Sequence, residues 1–256
     1  TGLMGGFVVS ELGRHGTNMV VATRGDDMSW RHLKTCADYG KIVPSYININ
    51  DEKSVRDTMK SCDTVINLMG KHYETKHFAP SLINCSFEDV HVRGAETVAR
   101  IAREENIKHL VHVSTAYASK DSASKFARTK AEGEERVLKE FPGAVIVRPN
   151  VCYADQDQFL IPYATFAKMS PVIPVLDGFQ AKLAPAYMGD VGTAIATIAS
   201  NYSTAGSTFN LSGKNQYTLK QVFEYIIEEI GLRPQPRLVD FPVSAAKTIG
   251  RVINNL

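Results

Sequence analysis

Residues 1–25 read TGLMGGFVVSELGRHGTNMVVATRG, and the order of events in this stretch decides the fold. Glycines at 2, 5 and 6 lead directly into an apolar-periodic segment over 7–16, and a β-branched run over 18–23 follows. A glycine-rich turn that opens a helix ordinarily follows a β-strand, so the expectation is a βαβ unit whose first strand, and the first glycine of a GxxGxxG turn, precede Thr1. Any targeting segment would precede it too. Such a turn lets backbone N–H groups face a pyrophosphate while the helix dipole favours the anion, which makes Gly2, Leu3, Met4 and Gly5 candidate cofactor contacts.

Outward from the turn the pattern alternates. Short apolar runs at 18–23, 42–48, 64–69, 110–114 and 144–148 are separated by helical periodicity at 54–61, 88–105 and 125–139. Near-continuous apolar strands fit a parallel sheet covered on both faces. The predicted fold is therefore α/β, a Rossmann-like doubly wound parallel sheet over 1–150, with a smaller C-terminal lobe over 151–256. Prolines at 162, 171, 174, 185, 234, 236 and 242 break the alternation in that lobe. One helix there is well marked: Thr218 and Gln221 form a capping box, Val222, Phe223, Ile226, Ile227 and Ile230 share a face, and Gly231 stops it. Residues 241–256 read as an amphipathic segment, most simply a helix closing the lobe.

The composition narrows the function. With 29 basic against 27 acidic residues and no Lys/Arg block, nucleic acid is excluded as the main partner. No apolar run is long enough for a membrane-spanning helix. Cys36, Cys62, Cys85 and Cys152 show no CxxC pair and read as reduced thiols. His72 and His77 do not share a helical face, and His109 and His112 point to opposite sides of a strand, so no metal site is predicted. At the end of the second strand the sequence is Thr23-Arg24-Gly25. An acidic residue there would take the adenosine ribose hydroxyls; Arg24 instead suits a 2′-phosphate and favours NADP(H). Topology places Asn48 and Ile49, at the end of the next strand, beside the adenine.

Asn67-Leu68-Met69-Gly70, Val111-His112-Val113-Ser114-Thr115, Phe126-Ala127-Arg128-Thr129-Lys130 and Arg148-Pro149-Asn150, together with the partial TGxxGG turn, resemble the extended or atypical short-chain dehydrogenase/reductase family over most of the chain. The resemblance implies that Leu68, Met69, Gly70 and Pro149 line the cofactor, that Val113 and Ser114 lie beside the nicotinamide, and that Lys130 holds its ribose. Three positions depart from the family pattern. Phe126 stands where a tyrosine serves as general acid, His91 replaces a supporting asparagine, and Ala116 replaces a serine. Phenylalanine has no proton to give, so no catalytic residue is assigned.

Tyr73-Glu74-Thr75-Lys76, Phe87-Glu88-Asp89-Val90 and the segment 141–149, FPGAVIVRP, are similar to one branch of that family, the nucleotide-binding accessory subunits of mitochondrial complex I. Residues 79–86 look like an insertion. This resemblance implies a structural NADPH, other complex I subunits as partners, and a place on the matrix side of the inner membrane, with peripheral membrane contact open to the C-terminal region. The competing readings are an active NADP-dependent reductase or epimerase, for which Tyr117 or Tyr153 would donate the proton, and an NADPH-sensing binding module.

Overall fold

The computed structural model describes residues 1–37, 40–74, 85–176 and 179–242. Residues 75–84 and 243–256 lie outside them, so the expected insertion and C-terminal amphipathic segment are covered only at their edges. In chain order the elements are α1 (Leu3–Arg14), β1 (Met19–Thr23), β2 (Ile42–Tyr46), α2 (Glu52–Met59), β3 (Thr64–Asn67), a π-helical segment (Glu88–Arg93), α3 (Gly94–Glu104), β4 (His109–Val113), α4 (Lys125–Glu140) and β5 (Val145–Pro149). They continue with β6 (Cys152–Tyr153), α5 (Leu160–Met169), β7 (Val172–Leu176), β8 (Lys182–Leu183), β9 (Ala186–Tyr187), α6 (Met188–Ser200), β10 (Thr208–Leu211), β11 (Tyr217–Thr218), α7 (Leu219–Ile230) and β12 (Arg237–Phe241).

Two compact units result. The first comprises Thr1–Pro149 together with Met188–Leu211. This corrects the single boundary expected at 150, because α6 packs on α1 and β10 pairs in parallel with β5, Thr208 opposite Ile146. The sheet order is β10-β5-β4-β3, all parallel, and β1 and β2 form a separate parallel pair. This is the predicted Rossmann-like α/β architecture. Every residue of β4 is buried, as a strand covered on both faces requires. The β1–β2 pair departs from that expectation: Val20 and Val43 face each other across the ladder and are each 41% exposed. One side of this pair is open at that point.

The helix expected over 88–105 is two structures in sequence. Its first half is π-helical, and Gly94 N–H, which closes that segment, donates to Asp89 O. A side chain at Gly94 would meet both Asp89 O and Ile49 Cγ1 at 2.9 Å. The π-helical segment then crosses α4 so closely that a Cβ on Gly133 would lie 2.0 Å from His91 O. Beneath this crossing α2, α3, α4 and the strands share a core that includes Val55, Val98, Ile101, Leu110, Val137 and Ile146. On the opposite layer α1 and α6 meet where Gly192 abuts Phe7.

The second unit comprises Asn150–Tyr187 and the chain from Ser212 onward. The predicted capping box is present, with Gln221 N–H donating to Thr218 Oγ1 at 3.2 Å and Thr218 N–H to Gln221 Oε1 at 2.8 Å. Gly231 ends α7 in the left-handed region, φ 66°. The α7 face that carries Phe223 and Ile227 packs with Ala167 of α5 and Ile173 of β7. Buried Asp157 starts α5 by accepting the N–H groups of Phe159, Leu160 and Ile161.

The Gly133 contact predicts that Gly133→Ala destabilises the first unit by about 3 kcal/mol, the upper range for an overpacked core, because the obstruction is backbone. Urea unfolding is the measurement, with Gly143→Ala, whose added Cβ would meet only Phe141 at 3.7 Å, as the tolerated control.

Candidate functional site

The site forms where the N-terminus of α1 and the carboxyl ends of β3, β4 and β5 gather. Gly2 is the N-cap of α1 in extended conformation, with open space on its Cα. Its carbonyl accepts Gly6 N–H at 3.0 Å, so the N–H groups of Leu3, Met4 and Gly5 are left to an outside acceptor. A Cβ at Gly5 would stand 3.8 Å from Leu68 Cδ1, which sets the helix end against the end of β3. Arg24 is exposed and directly follows Thr23, the last residue of β1.

Lys130 projects from α4 beneath Gly70, where an added Cβ would lie 3.4 Å from Nζ. Its side chain is 5% exposed, and Nζ donates to Val113 O at 3.3 Å. Burial pushes this amine down to about 8, while the Glu134 charge acts in the raising direction. Ser114 N–H donates to Val147 O at 2.7 Å, whereas its buried Oγ has no partner among the described residues. Pro149 O accepts Ala116 N–H at 2.9 Å.

Three assignments are corrected in their detail. The strand expected over 42–48 ends at Tyr46, so Asn48 and Ile49 lie in the following loop. Asn48 is exposed; its backbone exchanges hydrogen bonds with Ser54 Oγ at 2.9 and 3.0 Å, and its side chain accepts Asn50 N–H. Ile49 packs against Gly94. The Met69 side chain packs toward the core of the first unit, leaving Gly70 to border Lys130.

Around Lys130 the polar groups are held neutral. Lys71 N–H donates to His91 Nε2 at 3.1 Å, which leaves the His91 proton on Nδ1, 3.0 Å from Thr129 Oγ1; that hydroxyl donates to Phe126 O at 3.1 Å. Burial, then Lys130, hold the His91 imidazole down to about 4. Asn67 Oδ1 accepts Met69 N–H, so Asn67 Nδ2 donates to His112 Nδ1 at 3.1 Å and the His112 proton sits on Nε2, buried without a partner among the described residues. Burial, then Lys130, press His112 to about 3. Phe126 closes the cluster: it stacks with His72 at 5.9 Å and meets His91 and Phe87 edge-on at 5.4 and 5.9 Å. Burial raises the Tyr117 phenol above its ordinary value, and Tyr153, in the second unit, pairs with Tyr187.

Sequence reasoning passed over Asn67, His112, Glu134 and Arg148. A signal existed: polar residues inside otherwise apolar strands, His112 in LVHVS and Arg148 in AVIVRP, require buried partners.

The architecture and the glycine-led helix end define a Rossmann-like α/β protein. The family model described as the RmlD substrate binding domain matches residues 1–249, and the chain belongs to that family. It is 36% identical over 251 residues to "NADH dehydrogenase [ubiquinone] 1 alpha subcomplex subunit 9, mitochondrial" of Arabidopsis thaliana, covering 97% of this chain and 60% of that protein. It is 34% identical over 256 residues to "NADH-ubiquinone oxidoreductase 40 kDa subunit, mitochondrial" of Neurospora crassa, covering 99% and 64%. The chain thus spans less than two thirds of either relative. Among solved structures, MoeE5 in complex with UDP-glucose and NAD superposes with a TM-score of 0.72 at 16% identity, covering 94% of this chain and 82% of that one, a likeness of fold.

Both buried imidazoles are neutral in the folded protein, and each must gain a proton on acid unfolding. Their folded values lie below the ordinary 6.5, so their contribution is present above pH 6.5 and lost as pH falls toward 4 and then 3. Each steepens the loss of stability by at most about 1.4 kcal/mol per pH unit. Urea unfolding at pH 7, 5.5 and 4.5 should show this slope, and His91→Gln should make it shallower.

Proposed function

We propose that this chain holds NADPH as a fixed part of its fold and acts as a non-catalytic accessory subunit of respiratory complex I, on the matrix side of the inner mitochondrial membrane. Its partners in this reading are the other subunits of that complex, with peripheral membrane contact open to the C-terminal region. The names of the two mitochondrial relatives support the assembly. The observation that carries the nucleotide is the combination of an open α1 N-terminus, the Gly70 cradle, the orphaned Ser114 hydroxyl and a buried Lys130 ammonium in one corner of the first unit.

These residues fit a nicotinamide dinucleotide. The N–H groups of residues 3–5 would take the pyrophosphate, Arg24 the 2′-phosphate, Leu68 to Gly70 the flank of the cofactor, and Lys130 a ribose hydroxyl. Asn48 and Ile49 would border the adenine, and Val113, Ser114 and Pro149 the nicotinamide end. Reduced nicotinamide supplies a hydride, but hydride transfer to a carbonyl needs a proton at the oxygen. Phe126 offers none, His91 spends its proton on Thr129, and the ring stack of His72, Phe87, His91 and Phe126 fills the space beside Lys130. A ligand bound only by the folded state stabilises it by about 4 kcal/mol at a thousandfold excess over Kd, without any turnover.

The test is chemical identification of the nucleotide released when the purified protein or its native complex is denatured. NADPH or NADP⁺ in near-equimolar amount is expected, and the absence of both would overturn the reading. Arg24→Ala should weaken NADPH binding about tenfold, the value of one charge-assisted contact, and leave NADH binding unchanged. Steady hydride transfer by the isolated protein, abolished in Tyr117→Phe, would instead make it an enzyme.

A further inference from the structure

The obvious counter-ion for Lys130 is Glu134, four residues on along the same face of α4 and itself buried. That carboxylate is taken by another residue. Arg148, on β5, donates Nε to Glu134 Oε1 at 3.0 Å and Nη2 to Oε2 at 2.5 Å, a two-pronged clamp that turns both carboxylate oxygens toward the guanidinium, and among the described residues Glu134 makes no ion pair with Lys130. Among the described residues the ammonium has one hydrogen-bond acceptor, the backbone carbonyl of Val113. Among the described residues, the groups facing it from the surrounding elements are imidazoles, His72 after β3, His91 on the π-helical segment and His112 on β4, the last two held neutral by burial and by the Lys130 charge. A nearly buried cation without a carboxylate partner is costly unless a ligand completes it.

We infer that Arg148 is a positioning residue for ligand binding: by clamping Glu134 it withholds the carboxylate from Lys130 and keeps the ammonium available to a ribose hydroxyl of the bound nucleotide. Arg148 acts without touching the nucleotide, through Glu134. The inference rests on the nucleotide reading above and specifies what makes that site binding-competent. Removal of the clamp lets Glu134 turn to Lys130, and the ligand then has to compete with an internal ion pair. Burial holds the amine down to about 8, so in the wild type its ammonium is lost as pH rises through that value and affinity falls with it. A Lys130–Glu134 pair would move this fall to higher pH, whereas a neutral residue at 134 would move it lower.

The experiment is NADPH fluorescence titration of the full-length protein between pH 6.5 and 9.5, with thermal unfolding of each variant. Arg148→Met is expected to weaken binding at pH 7 about tenfold, the worth of one charge-assisted hydrogen bond, and to shift the alkaline fall upward. Glu134→Gln combined with Arg148→Met should restore binding. Glu134→Gln alone, in which the amide oxygen still accepts from Arg148, should bind at pH 7 and show its fall at lower pH. Unchanged affinity in Arg148→Met overturns the proposal, as does failure of the folded double variant to recover. If Arg148→Met does not fold, the Glu134→Gln profile decides, an unshifted fall overturning the proposal. A wild type that binds no NADPH overturns this proposal and the nucleotide reading together; a wild type that binds with unaffected variants overturns this proposal alone.

Discussion

The backbone contact between the π-helical segment and α4 is the constraint on which the site depends. A Cβ on Gly133 would stand 2.0 Å from His91 O, so only glycine lets the two segments meet at this distance. With His91 fixed, its ring spans from Lys71 N–H to Thr129, and Thr129 in turn reaches the carbonyl of Phe126. The same helix then carries Lys130 beneath Gly70 and Glu134 into the reach of Arg148. A π-helical turn at such a junction is a common way to rotate a residue out of helical register at a functional site. Here the rotated residue is a histidine whose two nitrogens are both engaged.

Electrostatically, the interior beside α4 holds a buried lysine that makes no ion pair among the described residues, beside imidazoles that stay neutral. His91 and His112 are kept neutral by burial and by the Lys130 charge itself. Glu134 is engaged by Arg148. The low effective dielectric of such a corner strengthens any hydrogen bond the ammonium makes and raises the cost of leaving it without one. His112 Nε2–H, on β4, and Ser114 Oγ, just past its end, lie two residues apart, buried and without a partner among the described residues. The proton-donating side of the site is filled by the rings of His72, Phe87, His91 and Phe126, and both nitrogens of His91 are engaged.

Local signals were read well from the chain. The Thr218–Gln221 box and the Gly231 stop are complete within fourteen residues, so no distant contact could alter them. Strands β4 and β5 were legible because their residues are almost all buried and the runs are predominantly apolar. The boundary at 150 was not legible, since the return of α6 and β10 depends on pairing with β5 and packing on α1 across a large gap in sequence. The end of the strand before Asn48 was not legible, because β2 stops at Tyr46 and Asn48 already bonds to Ser54 and Asn50 at the entry into α2.

The sequence by itself determined the alternation of strands and helices, the glycine-led entry to α1, Arg24 at the end of β1, and the loss of the phenol at Phe126. Each is a matter of local period or of residue identity. Only the tertiary structure decided which charges compensate one another. Lys130, Glu134 and Arg148 are all visible in the chain, yet the spacing of Lys130 and Glu134 on one helix points to a pair that the fold does not make. A strand fourteen residues farther along supplies the planar fork that fits the carboxylate better, and that geometry exists only once β5 lies beside α4.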